Sequence, residues 1–354
     1  ASLFLLFCVL LLNQIINNMN QIIRLCTAVL ILSVLITACD KNRSKSKNTV
    51  VPIAKTPSSP NQLPPPPPPV NYWNAAISAS SDVSILLKEL EKPINTQSFA
   101  ASSSAAMKLY FPDGLSVTLY PPLRFTDGST VTGTVLAEEI LLRKKGDFIR
   151  QNRPTQTASA MLVTGGSYYL NLSQNGQEIQ ATYTFRLPQS SENFSLFDGV
   201  SAANNQNIWA ARQDSGLQRT RDSIGSKDTF YSYCCIKQFK WINCDYFYNC
   251  GCPLTKVSAK LPAEYGNTNT QVFCIFKDIN SVTSLYGNTT SKLFETGASY
   301  KAPIGKECTL VSVTRKDGKY FIGTKDVTLT LDGVYDITPT ETTLAAMKTI
   351  LDGL

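Results

Sequence analysis

Histidine is missing from all 354 residues. Its absence removes whole reaction classes, because Ser-His-Asp and Cys-His nucleophile activation, HExxH zinc chemistry and imidazole proton shuttling all need that side chain. Charge is sparse as well, with 17% charged residues against 43% hydrophobic, the balance of ordinary globular material that can bury real cores. The net charge of +7 at first suggests an anionic partner. Its distribution argues otherwise: Arg24, Lys41, Arg43, Lys45, Lys47 and Lys55, offset only by Asp40, lie before the folded part and leave +2 for everything else. Nucleic-acid binding loses its main support, and no nucleic-acid partner is expected.

A spanning helix is also lacking near the N-terminus. Leu25 to Leu35 is apolar but shorter than the roughly 20 residues a bilayer demands. It sits instead inside a three-part signal: Met19 to Arg24 with one positive charge, the apolar stretch, and Ile36-Thr37-Ala38-Cys39, which reads as a lipobox. Residues 19–38 are therefore expected to be a cleaved lipoprotein signal peptide, and Cys39 the lipidated anchor. At ~0.8 kcal/mol per buried CH2, a diacylglyceryl group holds a protein stably where one chain does not. Met19 reads as the start, which makes residues 1–18 an upstream artefact. The expected place of work is the bacterial cell envelope, on the membrane and facing the periplasm or the cell surface.

Residues 39–72 are basic and then proline-rich, ending in Pro64 to Pro69, with too little apolar content to fold. They read as a tether, extended at ~3.1 Å per residue along the proline run. Beyond it, Val83, Leu86, Leu87 and Leu90 fall at helical spacing behind serines suited to an N-cap, and Pro93 stops them. The pattern then switches to period two. Asn175-Gly176, between Tyr168 to Ser173 and Gln177 to Arg186, is the pair a type I′ hairpin turn requires. Asp113-Gly114, Asp127-Gly128, Asp317-Gly318 and Asp332-Gly333 are further turns, so their aspartates read as backbone caps. Strands are also expected over Lys256 to Leu261, Thr270 to Lys277, Lys306 to Thr314, Lys319 to Gly323 and Asp326 to Leu331. Thr338-Pro339-Thr340-Glu341 resembles a capping box opening a last helix with Leu344, Met347, Leu351 and Leu354 on one face.

The expectation is an all-β protein of two β-sandwich-like domains with short flanking α-helices. Residues 73–192 form an N-terminal module with a leading helix, 193–228 a linker anchored by Trp209, and 229–354 a cysteine-containing β module with a terminal helix.

Two segments carry a resemblance. Pro121 to Arg186, with Asp127 to Gly133 (DGSTVTG), Gly165-Gly166 and the Asn-Gly hairpin, resembles the sandwich module of uncharacterised Bacteroidetes lipoproteins. Phe239 to Phe247 (FKWINCDYF) looks like a Gly-Trp-Ile-Asn-Cys-Asp-Arg-Phe segment of the same family, with Lys240 and Tyr246 where that pattern has Gly and Arg. The resemblance implies two β-sandwich modules on a lipid anchor and no assigned activity.

Chemistry is concentrated in the cysteines. Cys234, Cys235, Cys244, Cys250, Cys252, Cys274 and Cys308 lie beyond the anchor, and an exported chain keeps disulfides, so all seven are disulfide candidates with one left over. Their spacing lacks paired CxxC knuckles, and no metal or cofactor is expected. Trp241, Tyr246 and Tyr248, near Tyr231, Phe239 and Phe247, are candidates for a binding platform, set against an ordinary hydrophobic plug. Asp245 is a lone carboxylate where glycosidase chemistry needs two. Asp222-Ser223-Ile224 resembles an O-glycosylation acceptor. The leading reading is a non-catalytic envelope lipoprotein with a structural or interaction role, partnered by the membrane and by an envelope protein or glycan. A glycan- or peptide-binding surface module and an envelope enzyme are the alternatives.

Overall fold

In the computed structural model, which describes residues 71–189, 194–201, 206–212, 217–221, 229–236 and 240–354, local punctuation decides where elements start and stop. The signal peptide, Cys39, most of the tether and Asp222-Ser223-Ile224 lie outside the described residues, as do the side chains of Tyr231, Cys234, Cys235 and Phe239. Helix α1 (Asp82–Leu90) begins at Ser81, whose hydroxyl accepts from the Ser84 amide at 3.3 Å, and buries Val83, Leu86, Leu87 and Leu90. Asn175 and Gly176 both take positive φ, 51° and 78°, and close the expected hairpin.

The protein is all-β and sandwich-like, with few short helices. Its first sheet system begins with β1 (Asn95–Ala100), β2 (Met107–Tyr110), β3 (Ser116–Phe125) and β4 (Thr134–Leu142). The hairpin strands β5 (Leu162–Gln174) and β6 (Gln177–Gln189) follow, then β7 (Ser195–Ser201) and β8 (Asn207–Ala211). It ends with β9 (Leu217–Arg221), β10 (Thr229–Ile236) and β11 (Trp241–Phe247). One layer runs β1-β4-β5-β11-β7-β8 and the other β2-β3-β6-β10-β9, and among the described residues their strands pair with each other only at the tip of the β5–β6 hairpin. Leu109, Val117, Leu119, Tyr168, Leu170, Tyr183 and Phe185 fill the core between them.

Here the structure corrects two boundaries. The stretch expected to be a linker supplies β7, β8 and β9, and β10 and β11 pair with β6, β5 and β7 of the first system. Backbone groups of that stretch find ladder partners in the sheet, which its polar composition did not reveal.

The second sheet system is built from β12 (Leu254–Thr255), β13 (Ser258–Lys260), β14 (Thr270–Phe276), β15 (Val282–Asn288) and β16 (Leu293–Glu295). It continues through β17 (Ala302–Pro303), β18 (Glu307–Lys316), β19 (Lys319–Thr328), β20 (Val334–Asp336) and β21 (Thr340–Thr342). The two strands expected at Lys319 to Gly323 and Asp326 to Leu331 are one, since β19 pairs with β18 along its whole length. The last helix, α3 (Leu344–Asp352), is capped by Thr343 and not by Thr338, because Thr340–Thr342 pairs with β19 instead. Met347 and Leu351 of α3 pack inward as expected.

Between the two systems lies a shared apolar seam. Ile140 and Leu142 of β4, Phe148 and Ile149 of α2 (Lys145–Arg150), Phe273 and Ile275 of β14, and Val311 and Val313 of β18 meet there. Residues 68–354 accordingly form one compact unit. Every residue of β14 is buried, which explains its unbroken TQVFCIF run: a strand covered on both faces does not alternate. Among the described residues, no helix is long and apolar enough to cross a membrane.

Candidate functional site

Strand β11 carries the Trp-Ile-Asn-Cys-Asp segment into the middle of this stack. Its alternation sends Ile242 and Cys244 into the first core, with Tyr246 packed at that core's edge beside Phe194, ring centroids 5.6 Å apart. Trp241, Asn243 and Asp245 face the other way. Trp241 packs on Tyr169 at 5.5 Å and under the Arg153 guanidinium at 4.4 Å, and the same guanidinium lies 5.8 Å from Trp209. Burial pulls the Arg153 group down to about 10. Tyr248 lies past the end of the strand, over the second core, with its amide bonded to Met161 O at 3.0 Å. The three rings expected to form a platform therefore do not share a surface. Trp241 and Tyr246 leave the strand on opposite faces, and Tyr248 belongs to the next layer.

Asp245 is fully buried beside them. The Asn243 amide donates to its Oδ2, and the Asn243 carbonyl oxygen accepts from the Thr164 hydroxyl at 3.1 Å. Oδ1 of Asp245 has no partner among the described residues. Burial pushes this carboxyl well above the usual carboxylate range, and it pushes the Cys244 thiol up as well.

A second polar centre was not foreseen. A cavity of about 700 Å³ opens where α1, β4, α2 and α3 converge. Lys92 Nζ bonds Leu141 O at 2.8 Å and pairs with Asp147 Oδ1 at 3.0 Å, while Asp147 Oδ2 accepts the Arg143 and Lys144 amides. Arg150 ties Leu90 O to the Asp352 carboxylate, at 3.0 and 2.6 Å. Behind this rim Asn95 donates to Glu139 Oε2 at 2.9 Å and reaches Asp113 at 3.4 Å. Glu139 is fully buried and its Oε1 is unpartnered among the described residues. Burial, with Asp113 adding like charge, pushes it up to about 7, while the Asn95 bond holds it down. A carboxyl poised there can gain or lose a proton near neutral pH. The sequence did hold a signal: in TVLAEEILL two adjacent glutamates sit in an apolar strand, and period two forces one of them inward.

The cysteines divide by burial. Cys250 and Cys252 form a disulfide. Cys244, Cys274 and Cys308, expected as disulfide candidates, are buried free thiols. Cys244 sits among apolar side chains of the first core, whereas Cys274 and Cys308 lie on the paired strands β14 and β18 in the second, with the Cys308 thiol donating to Lys306 O at 3.9 Å. Among the described residues no group of three or more Cys, Asp or Glu side chains could hold a metal ion. Asp127 acts as the turn cap expected of it, accepting the Ser129 amide at 2.8 Å. No protein-family model matches this chain, and no curated protein matches it significantly.

Proposed function

We propose that the protein is a lipid-anchored, non-catalytic component of the bacterial cell envelope with a structural or interaction role, tethered through lipid on Cys39. The observation that carries the structural part is the double burial of β11: the most distinctive segment of the chain is spent on one core and on packing between layers, not on an open site. The lipobox and the basic stretch after it support the anchor. The test is to express the full chain in a bacterium that processes lipoproteins, in the presence of an alkyne fatty acid. Label on the parent and its loss, with release from membranes, in Cys39→Ser is the expected result. Equal membrane retention without label overturns the anchor.

One observation favours a glycan- or peptide-binding reading at a different place from Trp241. Tyr110, 68% exposed, and Tyr120, 39% exposed, project from the outer face of β2 and β3, with the Tyr120 hydroxyl 3.5 Å from that of Thr184. Rigid rings in a flat, threonine-rich field provide contact area at low entropic cost. Under this reading, Tyr110→Ala with Tyr120→Ala abolishes retention on immobilised envelope glycan without moving the melting temperature. Unchanged retention removes it.

A further inference from the structure

Cys250 is exposed and Cys252 half-buried, in contrast to the buried thiols of Cys244, Cys274 and Cys308. Their disulfide spans a single intervening residue, Gly251. A cross-link stabilises a fold by an amount that grows with the logarithm of the loop it closes, and so small a ring is at the bottom of that scale. Reactivity is the better account of it. The Cys252 amide donates to Cys250 Sγ at 3.3 Å, a bond that stabilises Cys250 as a thiolate in the dithiol and as the leaving sulfur when a second thiol cleaves a mixed disulfide on it. Gly251 has φ +60°, and nothing lies within 4 Å of where a Cβ would stand, so the turn between the two cysteines is open. The Asn249 side chain accepts the Gly251 amide at 3.1 Å and holds the turn.

Two cavities adjoin the pair. One, of about 440 Å³, is shared with Tyr248 and Lys306; its cations are already paired, Lys306 with Asp278 and Lys277 with Asp326. The other, of about 150 Å³, has Met161, Leu254 and Pro303 on one part of its lining and Ser159, Asn249 and Lys301 on the rest, and has room for one small side chain. Leu254 is 51% exposed there.

We infer that Cys250–Cys252 is a thiol–disulfide exchange site that joins a cysteine-bearing polypeptide to the protein through Cys250. The partner thiolate attacks Cys250 Sγ and the bond to Cys252 breaks. The electron pair leaves on Cys252, which takes up a proton. The protein disulfide is the oxidant and the partner thiol the reductant, and the product is one mixed disulfide and one thiol. Return of the Cys252 thiolate onto Cys250 expels the partner thiol unchanged. A second partner thiol attacking the same mixed disulfide instead releases an oxidised partner and leaves Cys250 and Cys252 as a dithiol. The apolar part of the small cavity, at Met161, Leu254 and Pro303, selects a cysteine next to a small apolar residue over a free low-molecular-weight thiol. This goes beyond the anchoring reading, since neither Cys39 nor the tether enters it.

The test uses the detergent-solubilised full chain. In a reduced glutathione buffer without denaturant, alkylation followed by peptide mapping should label Cys250 and Cys252 and leave Cys244, Cys274 and Cys308 unlabelled. A disulfide that opens only after denaturation overturns the site. Exposed to glutathione disulfide, Cys252→Ser should form its adduct on Cys250 at least about tenfold faster than Cys250→Ser forms one on Cys252. Equal rates overturn Cys250 as the exchanging sulfur. The unsubstituted protein keeps the first measurement valid if either variant misfolds. Finally, a synthetic peptide with one cysteine flanked by valine should exchange faster than glutathione at equal thiolate concentration. Glutathione matching it overturns the polypeptide as partner.

Discussion

Glu139 and Asp245 are the same problem solved in two settings. Each is a fully buried carboxyl with one oxygen bonded by an asparagine amide, Asn95 or Asn243, and the other oxygen unpartnered among the described residues. Their surroundings differ. Asn95 also lines the charged cavity and touches Asp113, whereas Asn243 is locked to the Thr164 hydroxyl between two layers. Glu139 rises to about 7, while Asp245 is held well above the usual carboxylate range, in both cases chiefly by burial. The amide is common to both, so nearness to water and to other charge decides whether a buried acid is a titrating group or a fixed part of the packing.

The largest expected effect breaks the Asp245 side. Asp245→Ala removes the acceptor of the Asn243 amide and leaves a buried donor unmet beside a small void, a loss of about 3 kcal/mol. Urea unfolding measures it. Asp245→Asn keeps shape and neutrality and should cost about 1 kcal/mol or less, because a neutral side chain is what this site favours. If the two variants lose equally, Asp245 is held as a charged group and the comparison fails.

Glu139 supplies the next effect, and its sign follows from linkage. Its folded value of about 7 lies above the ordinary 4.5, so between these the native state binds more protons than the unfolded chain. Stability is therefore fully present below pH 4.5 and is lost as pH rises toward 7, by about 2–3 kcal/mol at most if each unit is worth about 1.4 kcal/mol. Glu139→Gln should flatten that part of the curve and, above pH 7, outlast the parent in urea. A parent curve with no fall between pH 5 and 7.5 contradicts the assigned setting of Glu139.

How much of this was legible depended on how local each cause is. Helix α1 and the Asn175-Gly176 turn were readable because a cap, a spacing and a positive φ are properties of neighbouring residues. The position of β11 was not, because its period of two fits a strand in any sheet, while its actual partners, β5 and β7, are set by long-range pairing. The separation of Trp241 from Tyr246, by contrast, follows from period two once both lie on one strand, and it dissolves the expected platform. Similarly, cysteine spacing identified Cys250 and Cys252 as candidates but could not show that Cys244, Cys274 and Cys308 lie inside apolar cores. Glu139 was available from TVLAEEILL alone, yet which glutamate turns inward depended on the register of β4 against β1.

The smallest effect is the most discriminating. Asn95→Ala removes one hydrogen bond to Glu139, and at pH 5, where that acid is protonated, the cost should be about 1 kcal/mol. The bond favours the ionised form, so its loss raises the folded value further, and the pH-dependent fall should start at the same pH but extend to higher pH and run deeper than in the parent. Asn243→Ala offers the matched comparison at Asp245, where the same amide is removed from an acid away from the charged cavity, and the loss should come as a uniform drop in stability that keeps the shape of the parent's curve between pH 5 and 8. An extended fall in the first variant and an unchanged curve shape in the second separate the role of the amide from that of the surrounding water. Matching curves would mean that the asparagines, and not their settings, govern both carboxyls.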